Sequence, residues 1–194
     1  MAGMASNEYH IVTHWRAKST LIEINEILGN GEDLPRWWPA VYMDVKVLEP
    51  GNAEGIGRVV SVFTKGWLPY TLRWQFKVTD KNGLNGFSLN ALGDFVGRGV
   101  WTFEQDGDFV NITYDWKINA EKGILKTFSF IMKPIFTKNH LWAMKKGEES
   151  LQLELQRRHA PTPEARAQVL PPPATTFAWS IRKGSPAQTK VLFK

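Results

Sequence analysis

His140 is the residue best placed for proton chemistry in this 194-residue chain. An imidazole titrates near neutral pH, which suits general-base catalysis or the orientation of a ligand carbonyl. It falls on a helical stripe with Phe136, Met144, Gly147, Leu151 and Leu155, with Ala143 at the edge. Two readings of it stand side by side: a base, or a histidine hydrogen-bonded in a cavity wall. Tyr70 and Tyr114 are the other candidates, because each shares the aromatic face of its strand pattern and could donate to a carbonyl, although backbone acceptors would satisfy their hydroxyls equally well. Arg73, Glu104 and Asp115 alternate out of phase with the aromatics, so they face solvent and leave no inner-face carboxylate pair for acid–base work. Asp94 and Arg98 flank a glycine-rich bend, where a structural ion pair is expected.

Other chemistries lack their residues. There is no cysteine, so disulfides, thiol nucleophiles and thiolate metal sites are excluded. His10, His14 and His159 lack metal-ligand spacing, and the glycines of EGIGR and GDFVGRG match no phosphate loop. No metal or cofactor is therefore expected.

The elements that must carry these residues follow from periodicity. Residues 9–18 are rich in aromatic and β-branched types and form a first strand. Thr20 and Glu23 have capping-box spacing, so a helix starts there and stops at Gly29, and DLPRWW makes a second short helix. From Ala40 the period changes from 3.6 to 2. The strand Tyr70, Leu72, Trp74, Phe76, Val78 is the clearest, with GRVVSVFTK before it and GFSLNALGDFV after it. The alternation of the last is too weak to assign its inward face. Trp101 with Phe103, then a turn at Asp106-Gly107, then Val110, Ile112, Tyr114, Trp116 and Ile118 complete the run.

The longest helical pattern spans residues 124–159. As one straight helix it would be about 54 Å long, against a diameter of roughly 40 Å for a domain of this size. Pro134 suggests a lead-in over 124–133 and a main helix from 134 to about 158. Ile135, Trp142 and Leu153 lie opposite its apolar stripe and need a cover, from the tail or a second subunit. The fold expected is α+β, a curved antiparallel sheet of about six or seven strands gripping the long helix, with two short helices after the first strand. Its aromatic face and the helix enclose a cavity whose wall comprises Trp74, Phe76, Trp101, Phe103, Tyr114, Trp116, Phe136, His140, Met144 and Gly147, the glycine leaving a gap.

Residues 8–159 form the domain and 160–194 a Pro-rich basic tail. The tail holds five cations against Glu164, or +4 of the net +5, so the domain is nearly neutral and no nucleic-acid partner is expected. A Pro/Ala linker precedes the alternating TFAWSIRK, which is expected to fold back as an arm. No run is long and apolar enough for a membrane span and no signal peptide is present, so the expected location is cytoplasmic.

RWWPAVY, GIGR, GWLPYTLRW, GDFVGRGVWTF, VNITYDW and the closing NHLWAMKKGEESLQLELQRR together resemble the START-related helix-grip superfamily, often labelled SRPBCC, over residues 8–158. Its bacterial cyclase/dehydrase-like members are the most similar. The resemblance implies a hydrophobic cavity for a lipid, sterol or polyketide-like ligand, with either lipid transport or a polyketide cyclase/dehydratase activity. It carries no fixed catalytic set.

Overall fold

The computed structural model describes residues 8–120, 129–177 and 190–193. Strand β1 (Glu8–Lys18) leads to helix α1 (Leu21–Gly29), a 3-10 turn (Gly31–Asp33) and helix α2 (Leu34–Trp37). Six strands follow: β2 (Tyr42–Glu49), β3 (Val59–Lys65), β4 (Thr71–Lys81), β5 (Gly86–Gly93), β6 (Phe95–Asp106) and β7 (Phe109–Ala120). Helix α3 (Ser129–His159) and a short α4 (Pro163–Gln168) come last. As the capping signal indicates, Thr20 Oγ1 accepts the Glu23 backbone N–H (3.3 Å) at the start of α1.

All seven strands form one antiparallel sheet in the order β1-β7-β6-β5-β4-β3-β2. Short turns dictate this meander, and the return of β1 to the edge of β7 brings Tyr9 opposite Ile118 and Trp15 opposite Ile112. The sheet is open and curved, and its inner face packs against α1, α2 and α3 around a core rich in tryptophan. Strand β5, whose inward face the sequence leaves open, turns Phe87, Leu89 and Ala91 into this core.

Helix α3 is continuous through Pro134, which sits in its second turn. The proline therefore does not separate a lead-in from the main helix. It removes one backbone donor, toward the Phe130 carbonyl, and the remaining ladder carries the helix past it. Residues 124–128 of the expected lead-in lie outside the described residues. Met144, Leu151 and Leu155 are buried as their stripe requires. Ile135, Trp142 and Leu153 are half-buried, and Trp142 packs against the core.

A second buried position on α3 ties the helices together. Glu154 is 3% exposed and accepts two hydrogen bonds from Arg36 of α2, 2.8 Å from Nη1 and 2.7 Å from Nη2, and one from Arg158 Nε at 3.2 Å. Arg36 also reaches both oxygens of Asp33. These guanidinium contacts hold the Glu154 carboxyl below its usual range against the opposing effect of burial, and they fix α2 on the inner side of α3.

The tail returns along the domain. Arg157 Nη2 donates to the Leu170 carbonyl. Beyond the prolines, Thr176 Oγ1 donates to the Gly66 and Trp67 carbonyls (3.3 and 3.2 Å) and lies 3.0 Å from Lys65 Nζ, which also donates to the Thr176 carbonyl at 2.5 Å. Further on, Gln75 on the outer sheet face donates to the Lys190 carbonyl and accepts the Leu192 N–H. Trp179 and Ile181 of the expected arm lie outside the described residues.

Candidate functional site

Between the sheet and α3 is a cavity of about 310 Å³, at the lower end of the range for small-molecule sites. The inner faces of β4 to β7 supply Leu72, Trp74, Phe76, Val78, Phe87, Leu89, Phe95, Trp101, Tyr114 and Trp116. Strand β1 adds Tyr9 and Ile11, the loop after α2 adds Trp38, the first residue of β2 adds Tyr42, and α3 closes the space with Phe136, Asn139, His140, Ala143 and Met144.

Eight of the ten wall residues expected from the sequence meet here: Trp74, Phe76, Trp101, Tyr114, Trp116, Phe136, His140 and Met144. Phe103 and Gly147 are not in the wall. Phe103 is fully buried one layer away, its ring 6.2 Å from that of Phe87. The expected gap at Gly147 is filled: a Cβ there would stand 2.3 Å from Cζ2 of Trp38. The missing side chain admits the Trp38 indole against the helix, and Trp38 in turn forms the wall.

The aromatic surface has an order. The Trp101 and Tyr114 rings stack at 4.1 Å and 19°, and Tyr114 continues to Trp116 at 5.5 Å and 23°. Gly99 on β6 makes this possible, since a Cβ there would lie 2.7 Å from the Tyr114 hydroxyl. Opposite, Phe136 of the helix sits edge-on to both Tyr9 and Tyr70, at 6.4 and 6.2 Å. Trp74 Nε1 donates to Thr64 Oγ1 at 3.0 Å, so this indole lines the cavity with its polar atom satisfied.

His140 stands parallel to Tyr114, ring centres 6.5 Å apart and 23° between planes. Its Nε2 is fully enclosed and has no hydrogen-bond partner among the described residues. Burial pushes the imidazole pKa down from 6.5 to about 4, so the ring is neutral at physiological pH. Tyr70 and Tyr114 are pushed upward, chiefly by burial, and remain phenols. The neighbouring Asn139 is buried, and its Oδ1 accepts the Leu68 N–H at 3.2 Å, linking the helix to the β3–β4 turn.

The remaining candidates lie outside the cavity. His10 shares a hydrogen bond with Asp115 (3.0 Å), His14 with Thr113 (3.0 Å) and His159 with Glu23 (3.0 Å). Asp94 accepts the Arg73 backbone N–H at 2.8 Å, and Arg98 donates to Ser88 Oγ at 3.1 Å. Among the described residues no three His, Asp or Glu side chains are grouped as metal ligands. The wall residues missed from sequence are chiefly Trp38, Tyr42, Tyr9, Phe95 and Asn139. The adjacent tryptophans of RWWPAVY were a signal: both are buried, and Trp38 alone of the two lines the cavity.

No family model and no curated protein matches the sequence. Solved structures do match. A Thermus thermophilus protein, TTHA0849, superposes with a TM-score of 0.60 at 14% identity over 74% of this chain and 97% of its own. The Zhui aromatase/cyclase of Streptomyces sp. R1128 gives 0.58 at 14% identity, covering 78% and 95%. A START superfamily protein of Mycobacterium smegmatis gives 0.52 at 13% identity, covering 73% and 98%. With the seven-stranded meander, the long closing helix and the cavity between them, these likenesses identify the chain's architecture as the START-like helix-grip fold.

Proposed function

We propose that this protein binds one small, predominantly apolar ligand, a lipid, sterol or polyketide-like molecule, in the cavity between sheet and helix. The observation that carries the reading is the aromatic wall with His140 Nε2, one of two wall atoms, with Trp38 Nε1, that are buried without a partner among the described residues. Buried polar groups ordinarily find a hydrogen bond. A ligand hydroxyl or carbonyl beside a hydrophobic body supplies it, the hydroxyl donating to Nε2 or the carbonyl accepting from it according to tautomer. Likeness of fold to a START superfamily protein supports the same reading.

The second reading is a cyclase or dehydratase in the same cavity, favoured by the likeness to an aromatase/cyclase. An imidazole with a pKa of about 4 is a weak base at neutral pH, which favours binding over proton abstraction by His140. Tyr114 and Tyr70 would then supply hydrogen-bond donors and not bases.

Native mass spectrometry of protein purified from its own cells tests the binding reading. A co-purifying apolar molecule is expected, and His140→Leu should weaken its rebinding by about five- to tenfold, one ordinary hydrogen bond. Protein that is ligand-free from its own cells and takes up no apolar compound in a fluorescence screen would overturn it. Turnover of a poly-β-keto substrate that is lost in Tyr114→Phe, with affinity retained, would select the enzyme.

A further inference from the structure

Strand β4 carries a one-residue irregularity at the end of the cavity. Val78 pairs with Leu89, but the next pair is Asp80 with Ser88 and then Lys81 with Phe87, so Thr79 is an extra residue. Such a bulge reverses the alternation of side chains beyond it. Before it, even-numbered residues of β4 face the cavity. After it, Lys81 lies opposite Phe87, an inner-face residue, and is itself part of the cavity wall. Without Thr79 this lysine would point to the outer face.

A second cation reaches the same end. Arg58 precedes β3 in phase with Val60, its carbonyl accepts the Val78 N–H at 2.9 Å, and it too belongs to the wall. Val78 and Lys81 are on the order of 7–10 Å apart along the strand, within reach of two long side chains converging on one group. Arg58 Nε donates to the Pro50 carbonyl at 3.2 Å, and neither cation has an ion pair among the described residues. Against them the wall carries one carboxylate, Glu54, which is exposed. Both cations are half-buried, so their charge sits at the rim of a largely apolar space, whose third cation, Lys65, donates to the Gly66 and Thr176 carbonyls.

We propose that Arg58 and Lys81 form a subsite for the acidic head group of the cavity ligand, making that ligand an acidic amphiphile with a carboxylate or phosphate at one end. This rests on the cavity-binding reading above. Its apolar body lies along Phe76 and Phe87, its head at the rim, and an opposite end within reach of His140 where it is long enough.

The test uses the full chain and three probes of one chain length, decanol, decanoate and decyl phosphate, followed by tryptophan fluorescence at low salt. The unmodified protein should bind decanoate about tenfold more tightly than decanol, as expected for two partly screened charge contacts. Added salt should shrink that advantage. Lys81→Met and Arg58→Met should each reduce this acid-over-alcohol ratio and the double variant abolish it, decanol being measured on every variant as the reference. Decyl phosphate binding more tightly than decanoate would identify a phosphate head, and the reverse a carboxylate. Equal affinity for acid and alcohol in the unmodified protein, or an acid preference that survives the double variant, would overturn the subsite while leaving the cavity reading intact. Failure of all three probes to bind would overturn both. Where the double variant fails to fold, the two single variants carry the same comparison.

Discussion

His140 makes the fold itself sensitive to acid. In the unfolded chain its imidazole titrates near 6.5, and in the cavity wall burial lowers that to about 4. The unfolded chain therefore takes up a proton that the folded one refuses. Stability from this source is complete above pH 6.5, declines as the pH falls toward 4, and is constant below it, a loss of roughly 3 kcal/mol in all. Asp33 and Glu154 are held below their usual range, so their contribution is lost at lower pH, from the ordinary carboxylate pKa downward. Urea midpoints measured between pH 7 and pH 4.5 should thus fall in the unmodified protein and hold nearly constant in His140→Leu. Equal slopes in the two proteins would show that the imidazole is charged in the folded state. A bound ligand that donates to Nε2 would steepen the decline, because protonation would then also release the ligand.

At the scale of elements, the cavity depends on how α2 meets α3. Arg36 and Glu154 fix the approach, and Trp38, just past α2, takes the space that Gly147 leaves on the helix. Glycine costs a helix about 1 kcal/mol relative to alanine, so a Gly147→Ala change would stabilise an isolated helix. Here the added Cβ would stand 2.3 Å from an indole that is 3% exposed, where nothing can move cheaply. Overpacking of about 1–3 kcal/mol outweighs the gain in propensity. Gly147→Ala should therefore lower stability by about 1 kcal/mol and shift the tryptophan emission, as thermal unfolding followed by fluorescence would record. An unchanged or higher melting temperature would mean that Trp38 is free to withdraw into the cavity.

For the molecule as a whole, the tail is a strap fastened at three points among the described residues, Leu170 on Arg157, Thr176 on the β3–β4 turn, and Lys190 with Leu192 on Gln75. Lys65 is 1% exposed and has Thr176 and Phe177 as its cover, the ring lying 5.3 Å from Nζ. Burial lowers the lysine pKa, which marks the cost of taking an ammonium out of water for neutral acceptors. Hydrogen bonds to such a charged group contribute about 1.5–3 kcal/mol each, so the clasp should hold the linker against proteolysis. Thr176→Val should increase cleavage within residues 169–176 by about tenfold or more, with the domain remaining intact. Equal cleavage rates in variant and parent would show that the tail is held by something other than this clasp.

The elements were largely legible because their signals are local. Alternation of period 2 located the strands, the capping pair Thr20 and Glu23 located α1, and the aromatic phase of Trp74, Phe76, Trp101, Tyr114 and Trp116 located the inner face. Hydrophobic burial imposes these patterns on a sheet with one face in a core, so they can be read without coordinates. Positions decided by contacts between distant segments could not be read. Gly147 looked like a gap because its occupant, Trp38, is 109 residues away in the chain. Pro134 looked like a boundary because a proline's cost is local, whereas the helix continues through it on the hydrogen bonds that remain. The inward turn of Lys81 could not be read, because one extra residue in β4 shows only when β5 is paired beside it. Sequence alone determined the layers and the chemistry of their faces. Tertiary structure decided which side chains share the cavity, since register and long-range packing place atoms that no local period records.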